Sequence, residues 1–176
     1  KGSTEMKIKK QSQLAIDDAN VIFFVIDGRD GVLPIEKTFA MNLKKQNKPI
    51  VILINKSEGS KGLIGLSESA SLGFDNVIPI SAEHGEGLPD LYDVLKNNLD
   101  NHTINKKQNE TCTNLENSSI RVSIIGRPNT GKSTLLNNII GENRLVTGSE
   151  AGITRDSIEI EWNYKKQTFC LIDTAG

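Results

Sequence analysis

Cysteine is scarce in this sequence, with Cys112 and Cys170 the two among 176 residues. One falls in a polar stretch and the other in an apolar one. That pattern supplies neither a disulfide framework nor metal-ligand spacing, and it fits a reducing, cytoplasmic setting. Net charge is nearly absent, at −1, which excludes a global attraction to nucleic acid or an anionic membrane. Lys7, Lys9 and Lys10 form a local basic patch, read here as a solvated helix face. No apolar run reaches the roughly 20 residues of a spanning helix, and the opening KGSTEMK has no apolar signal core, so no membrane association is expected. An initiator Met is also missing, and a longer parent chain is therefore expected. What is present, 36% hydrophobic and 24% charged residues, is the composition of a globular protein with apolar material for one core or two small ones.

From Asn20 the chain reads VIFFVIDGRDG, then a helical stretch around IEKTFAMNLKKQ, then KPIVILIN. A glycine- and serine-rich helical stretch runs through Leu72, followed by NVIPISA and the amphipathic LPDLYDVLKNNL. Short apolar runs without polar alternation are what strands buried on both faces look like, and helices alternate with them, which predicts a three-layer α/β fold with a parallel sheet. Residues 101–118 are polar, short of aromatics and rich in Asn, Thr and Lys, and read as a flexible linker. Beyond it lie a strand IRVSIIG, a glycine loop, a helix STLLNNIIG, a polar stretch through TGSEAGITRD, and the runs SIEIEW and TFCLID. The last two suggest an antiparallel hairpin, and the alternation in SIEIEW suits an edge or half-covered strand. His84 and His102 read as exposed loop residues.

Gly126 to Ser133, GRPNTGKS, fits G-x-x-x-x-G-K-S between an apolar strand and an amphipathic helix. Such a loop must turn successive backbone N–H groups and a helix N-terminus toward phosphate oxygens with no Cβ in the way. Gly126 and Gly131 meet that demand; Lys132 would place its ammonium on the β/γ oxygens and Ser133 its hydroxyl on Mg²⁺. Thr154, between this helix and the DTAG of Asp173, Thr174, Ala175 and Gly176, stands where a switch threonine closes over Mg²⁺ and the γ-phosphate. Asp173 follows an apolar strand, so it emerges at a strand C-terminus, where ligands bind in open α/β sheets. It is a third candidate for Mg²⁺, and the Gly176 N–H is a candidate for the γ-phosphate.

Asn55, Lys56, Ser57 and Glu58 follow the strand PIVILI, and Ser81, Ala82 and Glu83 follow VIPI. Together they suit guanine, because a carboxylate accepts from N1–H and N2–H₂ while backbone N–H groups donate to O6. The usual acid at the fourth position is Asp, and Glu58 is one methylene longer.

These motifs carry a specific resemblance. QLAIDDANVIFFVIDGRDG, NKSE and SAEHGEGL are similar to the second half of the first GTPase domain in the Der (EngA) family, tandem-G-domain bacterial GTPases of the TrmE-Era-EngA-like group. VSIIGRPNTGKSTLLNNIIGENRLVTGSEAGITRDSI through LIDTAG resembles the first half of that family's second G domain. The resemblance implies domains at 1–100 (base-recognition half), 101–118 (linker) and 119–176 (phosphate and Mg²⁺ half), one period cut from a tandem. It implies a monomeric, cytoplasmic, GTP- and GDP-binding, GTP-hydrolysing switch that acts on the large ribosomal subunit and its rRNA during assembly. The phosphate contacts it implies are Gly126, Arg127, Pro128, Asn129, Thr130, Gly131, Lys132, Ser133 and Thr134 with the DTAG residues. Asn129 matches the Asn of potassium-stimulated relatives, which implies K⁺ beside Mg²⁺. No catalytic residue is assigned, so hydrolysis would rest on positioning and charge neutralisation. Two other readings stay open: a naturally circularly permuted GTPase, and a nucleotide-binding scaffold without hydrolysis.

Ras-like P-loop sheets run 2-3-1-4-5-6. The second block supplies strands 2-3-1 and the first 4-5-6, and strands 1 and 4 are neighbours. The two halves are therefore expected to pair into one hybrid, circularly permuted sheet. The alternative, two half-domains, leaves open sheet edges and cores that bury only ~60% of their surface.

Overall fold

The computed structural model describes residues 13–96, 119–142, 157–164 and 167–174. Lys7, Lys9, Lys10, His102, Cys112, the expected linker, Thr154, Ala175 and Gly176 lie outside these. In chain order the elements are α1 (helical through 13–18), β1 (Val21–Asp27), α2 (Pro34–Leu43), β2 (Ile50–Asn55), α3 (Gly59–Ser69) and β3 (Val77–Pro79). They continue with α4 (88–96), β4 (Ile120–Gly126), α5 (Lys132–Glu142), β5 (Ser157–Tyr164) and β6 (Gln167–Thr174).

One six-stranded sheet has the order β3-β2-β1-β4-β6-β5. This is the expected hybrid: strands from both blocks share one sheet, and the seam is the parallel pair β1–β4, in register from Val21 opposite Val122 to Val25 opposite Gly126. The seam is closed at its foot by Asn20, whose N–H donates to the Arg121 carbonyl at 2.8 Å while its Oδ1 accepts from the Arg121 N–H at 2.8 Å. β1 and β2 are buried at every position, which explains why they carry no polar alternation. The expected antiparallel hairpin is β5–β6, and β5 is the sheet's edge.

Two apolar layers flank the sheet. On one face, Val21, Phe23, Val25, Val51 and Leu53 of the first block meet Val122, Ile124, Trp162, Phe169 and Leu171 of the second, beneath Leu88, Leu91 and Leu95 of α4 and Leu135, Leu136 and Ile139 of α5. On the other face, Ile22, Phe24, Ile26, Ile52 and Ile54 pack with Ile16, Ala40 and Leu43. One expectation needs correction. Helix α2 ends at Leu43, short of the KKQ that the sequence pattern includes, and Lys45 and Gln46 donate to the Asn42 and Leu43 carbonyls in a turn. Pro49 disfavours helical backbone at Lys48, just before the chain enters β2 at Ile50.

Candidate functional site

β1, β2 and β4 run parallel, so the loops after Asp27, Asn55 and Gly126 open at one end of the sheet. That end is where both motif sets meet. A cavity of about 100 Å³ is lined by Arg29, Asn55, Lys56, Glu58, Ser81, Ala82 and Glu83 from the first block and by Gly131 and Thr134 from the second. A wider opening of about 430 Å³ continues along Arg29, Glu58, Gly59 and Ser60.

Asn55 is the joint. It is 2% exposed, its Oδ1 accepts from the Ala82 N–H at 2.8 Å, and its Nδ2–H donates to the Thr130 carbonyl at 2.7 Å. A buried amide needs partners for both ends, and here one partner comes from each block. Asn138 of α5 adds a third tie, donating to the Ala82 carbonyl at 2.9 Å.

Lys56 holds the frame. Its Nζ donates to Asp27 Oδ2 at 2.5 Å and to the Asn129 carbonyl at 2.9 Å. Lys56 and Asn129 both adopt left-handed backbone, with φ of 61° and 65°, a conformation Asn tolerates and Lys adopts at some cost. Ser57 is a turn residue, its N–H donating to the Ile80 carbonyl at 3.1 Å and its hydroxyl to the Ile54 carbonyl at 2.6 Å.

The glycine loop is built as its spacing predicts. A Cβ at Gly126 would collide with the Val25 carbonyl across the seam, and one at Gly131 (φ 94°) with the Asn55 amide. Helix α5 then begins at Lys132, which is 7% exposed and whose Nζ donates to the carbonyls of Gly126 (3.0 Å) and Arg127 (2.8 Å). Ser133 and Thr134 are exposed in the helix's first turn, and Pro128 and Asn129 are exposed in the loop. The Arg127 side chain leans the other way, with Nε donating to Glu36 Oε1 at 3.1 Å and NH2 to Asp30 Oδ2 at 2.7 Å. The backbone of Asp173 and Thr174 ends β6, with Asp173 opposite Ile124 in register. Ser133, in the helix after β4, and Asp173, at the end of β6, thus lie at the same end of adjacent parallel strands, and hydroxyl and carboxylate oxygens are the hard donors that Mg²⁺ takes.

Glu58 is paired with Arg29, an interaction the sequence reading did not anticipate. Its carboxyl is held below the ordinary carboxylate range by its own backbone N–H first, then by the Ser81 hydroxyl and Arg29, against the opposing effect of burial. Three other carboxylates also escaped sequence reasoning. Asp27 accepts from Lys56 and from the Arg29 N–H at 3.0 Å, and Asp30 takes Arg127. Glu36, 2% exposed, accepts from the Leu33 N–H at 2.9 Å as well as from Arg127. An acid three residues after a helix N-cap is the one signal for Glu36 that the sequence carries.

Known proteins resemble this chain in sequence. Residues 121–176 match the 50S ribosome-binding GTPase family. Over its whole length the chain is 47% identical to GTPase Der of Bradyrhizobium sp. strain BTAi1 and 44% identical to GTPase Der of Rhodopseudomonas palustris strain BisB5. A match at 44% identity to GTPase Der of Azorhizobium caulinodans covers 99% of the chain. The chain spans 39% of the length of each of these relatives.

Proposed function

We propose that this chain, which belongs along its whole length to the Der (EngA) family of GTPases, forms the guanine-nucleotide site of a GTP-hydrolysing switch protein. The observation that carries the proposal is the double bond-making of Asn55, whose one amide fixes both the Ala82 backbone and the Thr130 carbonyl. A base and a phosphate chain can then lie in one continuous groove.

In this reading the base lies on Asn55 to Glu58 and Ser81 to Glu83, with Glu58 accepting from the base and the backbone near Ala82 donating to O6. The phosphates lie on the loop 126–134 and the start of α5, where backbone N–H groups and the helix N-terminus favour anions. On binding, the Lys132 ammonium exchanges its loop carbonyls for phosphate oxygens. Ser133, Thr154 and Asp173 are the residues that would hold Mg²⁺, which when bound neutralises charge on the β- and γ-phosphates; Asn129 would hold K⁺. The chain's own part in hydrolysis is to position the nucleotide and to neutralise charge through Lys132. Residues 1–100 and 119–176 are read as halves of successive G domains joined through 101–118. Action in large-subunit assembly, with rRNA as partner and as a cytoplasmic monomer, is the finer proposal. The description of the matched family as ribosome-binding supports the ribosomal part. Among the described residues no helix is long and apolar enough to cross a membrane.

Titration calorimetry of GDP and ADP with Mg²⁺, on the chain and on Lys132→Ala, tests the site. GDP binding that is absent with ADP and lost in the variant is expected. Failure of the unaltered chain to bind GDP overturns the reading, and phosphate release from GTP tests hydrolysis separately.

A further inference from the structure

Arg29 lines both cavities at the base end of the site. It donates to Glu58 Oε1, while the other carboxylate oxygen, Oε2, is buried and has no hydrogen-bond partner among the described residues. The Ser81 hydroxyl, close enough to help lower the Glu58 pKa, lines the same cavity and is likewise buried without a well-formed hydrogen bond among the described residues. Polar atoms buried unsatisfied are costly, so a pair of them on one cavity wall points to a ligand that completes them. Glu58 also differs from aspartate by one rotatable bond. Left alone, that bond spreads the carboxylate over several rotamers; tied to a planar guanidinium, it does not.

We propose that Arg29 is a positioning residue for base recognition: by anchoring Glu58 Oε1 it presents Oε2 to the adjacent N–H donors of a guanine edge, so that the pair sets selectivity. The inference rests on the guanine-binding reading above. Arg29 and Glu58 lie on the same side of the β1–β4 seam, so their contact does not depend on the second block. The Arg29 side chain is 51% exposed, and its removal leaves the core intact.

The test measures GDP and inosine diphosphate affinities of the 176-residue chain for the unaltered protein, Arg29→Ala, Arg29→Lys, and Glu58→Asp with and without Arg29→Ala. Inosine lacks the exocyclic amine, so it reports how well the carboxylate meets both donors. Arg29→Ala is expected to weaken GDP binding about fivefold, the scale of one partly exposed charged hydrogen bond, and to shrink the preference for GDP over inosine diphosphate. Arg29→Lys recovers part of both. In the Glu58→Asp background the Arg29→Ala change is expected to cost less than about twofold, because the shorter side chain needs no brace. If the unaltered chain binds GDP selectively and Arg29→Ala leaves both affinities unchanged, lowers them equally, or tightens GDP binding, the inference is overturned while the guanine reading stands. If the unaltered chain binds no GDP, both fall.

Discussion

The two faces of the sheet are built from different parts of the chain. Beneath α4 and α5 the core is shared, with first-block strands, second-block strands and the hairpin in one cluster. The opposite face, among the described residues, belongs almost entirely to the first block; Ile125 is the sole second-block member described in the main cluster, supplemented by the small contact of Ala15 with Cys170 and Ile172. One face therefore joins the blocks and the other mainly stabilises the first. Chain order is immaterial to the joining face, because a parallel seam and a layer of packed side chains need only adjacency. Ala82, which Asn55 contacts, belongs to the joining cluster, so nucleotide binding is expected to be coupled to that face.

Breaking this comparison starts with Trp162→Ala. The ring is 2% exposed and lies 5.5 Å from Tyr92 of α4 and 4.8 Å from Phe169, so its loss is expected to cost about 4 kcal/mol in urea unfolding and to abolish GDP binding. Leu43→Ala, on the other face and 2% exposed, is expected to cost about 3 kcal/mol while the folded fraction binds GDP with unchanged affinity. Equal effects of the two on binding would erase the distinction. Asn55→Ala removes both ties and orphans the Ala82 N–H and Thr130 carbonyl; about 2 kcal/mol of stability is expected to go, with GDP binding lost outright. Arg127→Ala is expected to cost about 1 kcal/mol in the same assay, since its pair with Asp30 is half-exposed and Glu36 keeps the Leu33 N–H.

The smallest effect is on acid sensitivity. The fold lowers the pKa of Glu58 below its ordinary value, so the folded state favours the ionised form. That contribution is complete above the ordinary carboxylate pKa and disappears as pH falls through the lowered folded value. The stability difference between the unaltered chain and Glu58→Gln, followed from neutral pH downward, should narrow across that window.

The glycine loop and the strands were legible because their chemistry is local. An apolar run such as VIFFVID, short, rich in β-branched and aromatic residues and followed by a glycine turn, reads as a strand covered on both sides, and G-x-x-x-x-G-K-S fixes a backbone path within eight residues. The order of the strands followed from adjacency in the Ras-like sheet, which the family resemblance supplied. The charged frame of the site was not legible. Arg29 meets Glu58 29 positions away and Arg127 meets Glu36 91 positions away, and a charge in a loop reads as solvated until its partner's place is known. The glutamate in NKSE was itself a clue, since a carboxylate set one bond further out needs something to hold it.

Trp162 has one more consequence. It is the chain's single tryptophan, and it lies where the hairpin of the second block meets the helix that ends the described part of the first. Its near-ultraviolet dichroism and the colour of its emission are therefore an optical gauge of whether the two blocks are closed on each other, read without any label.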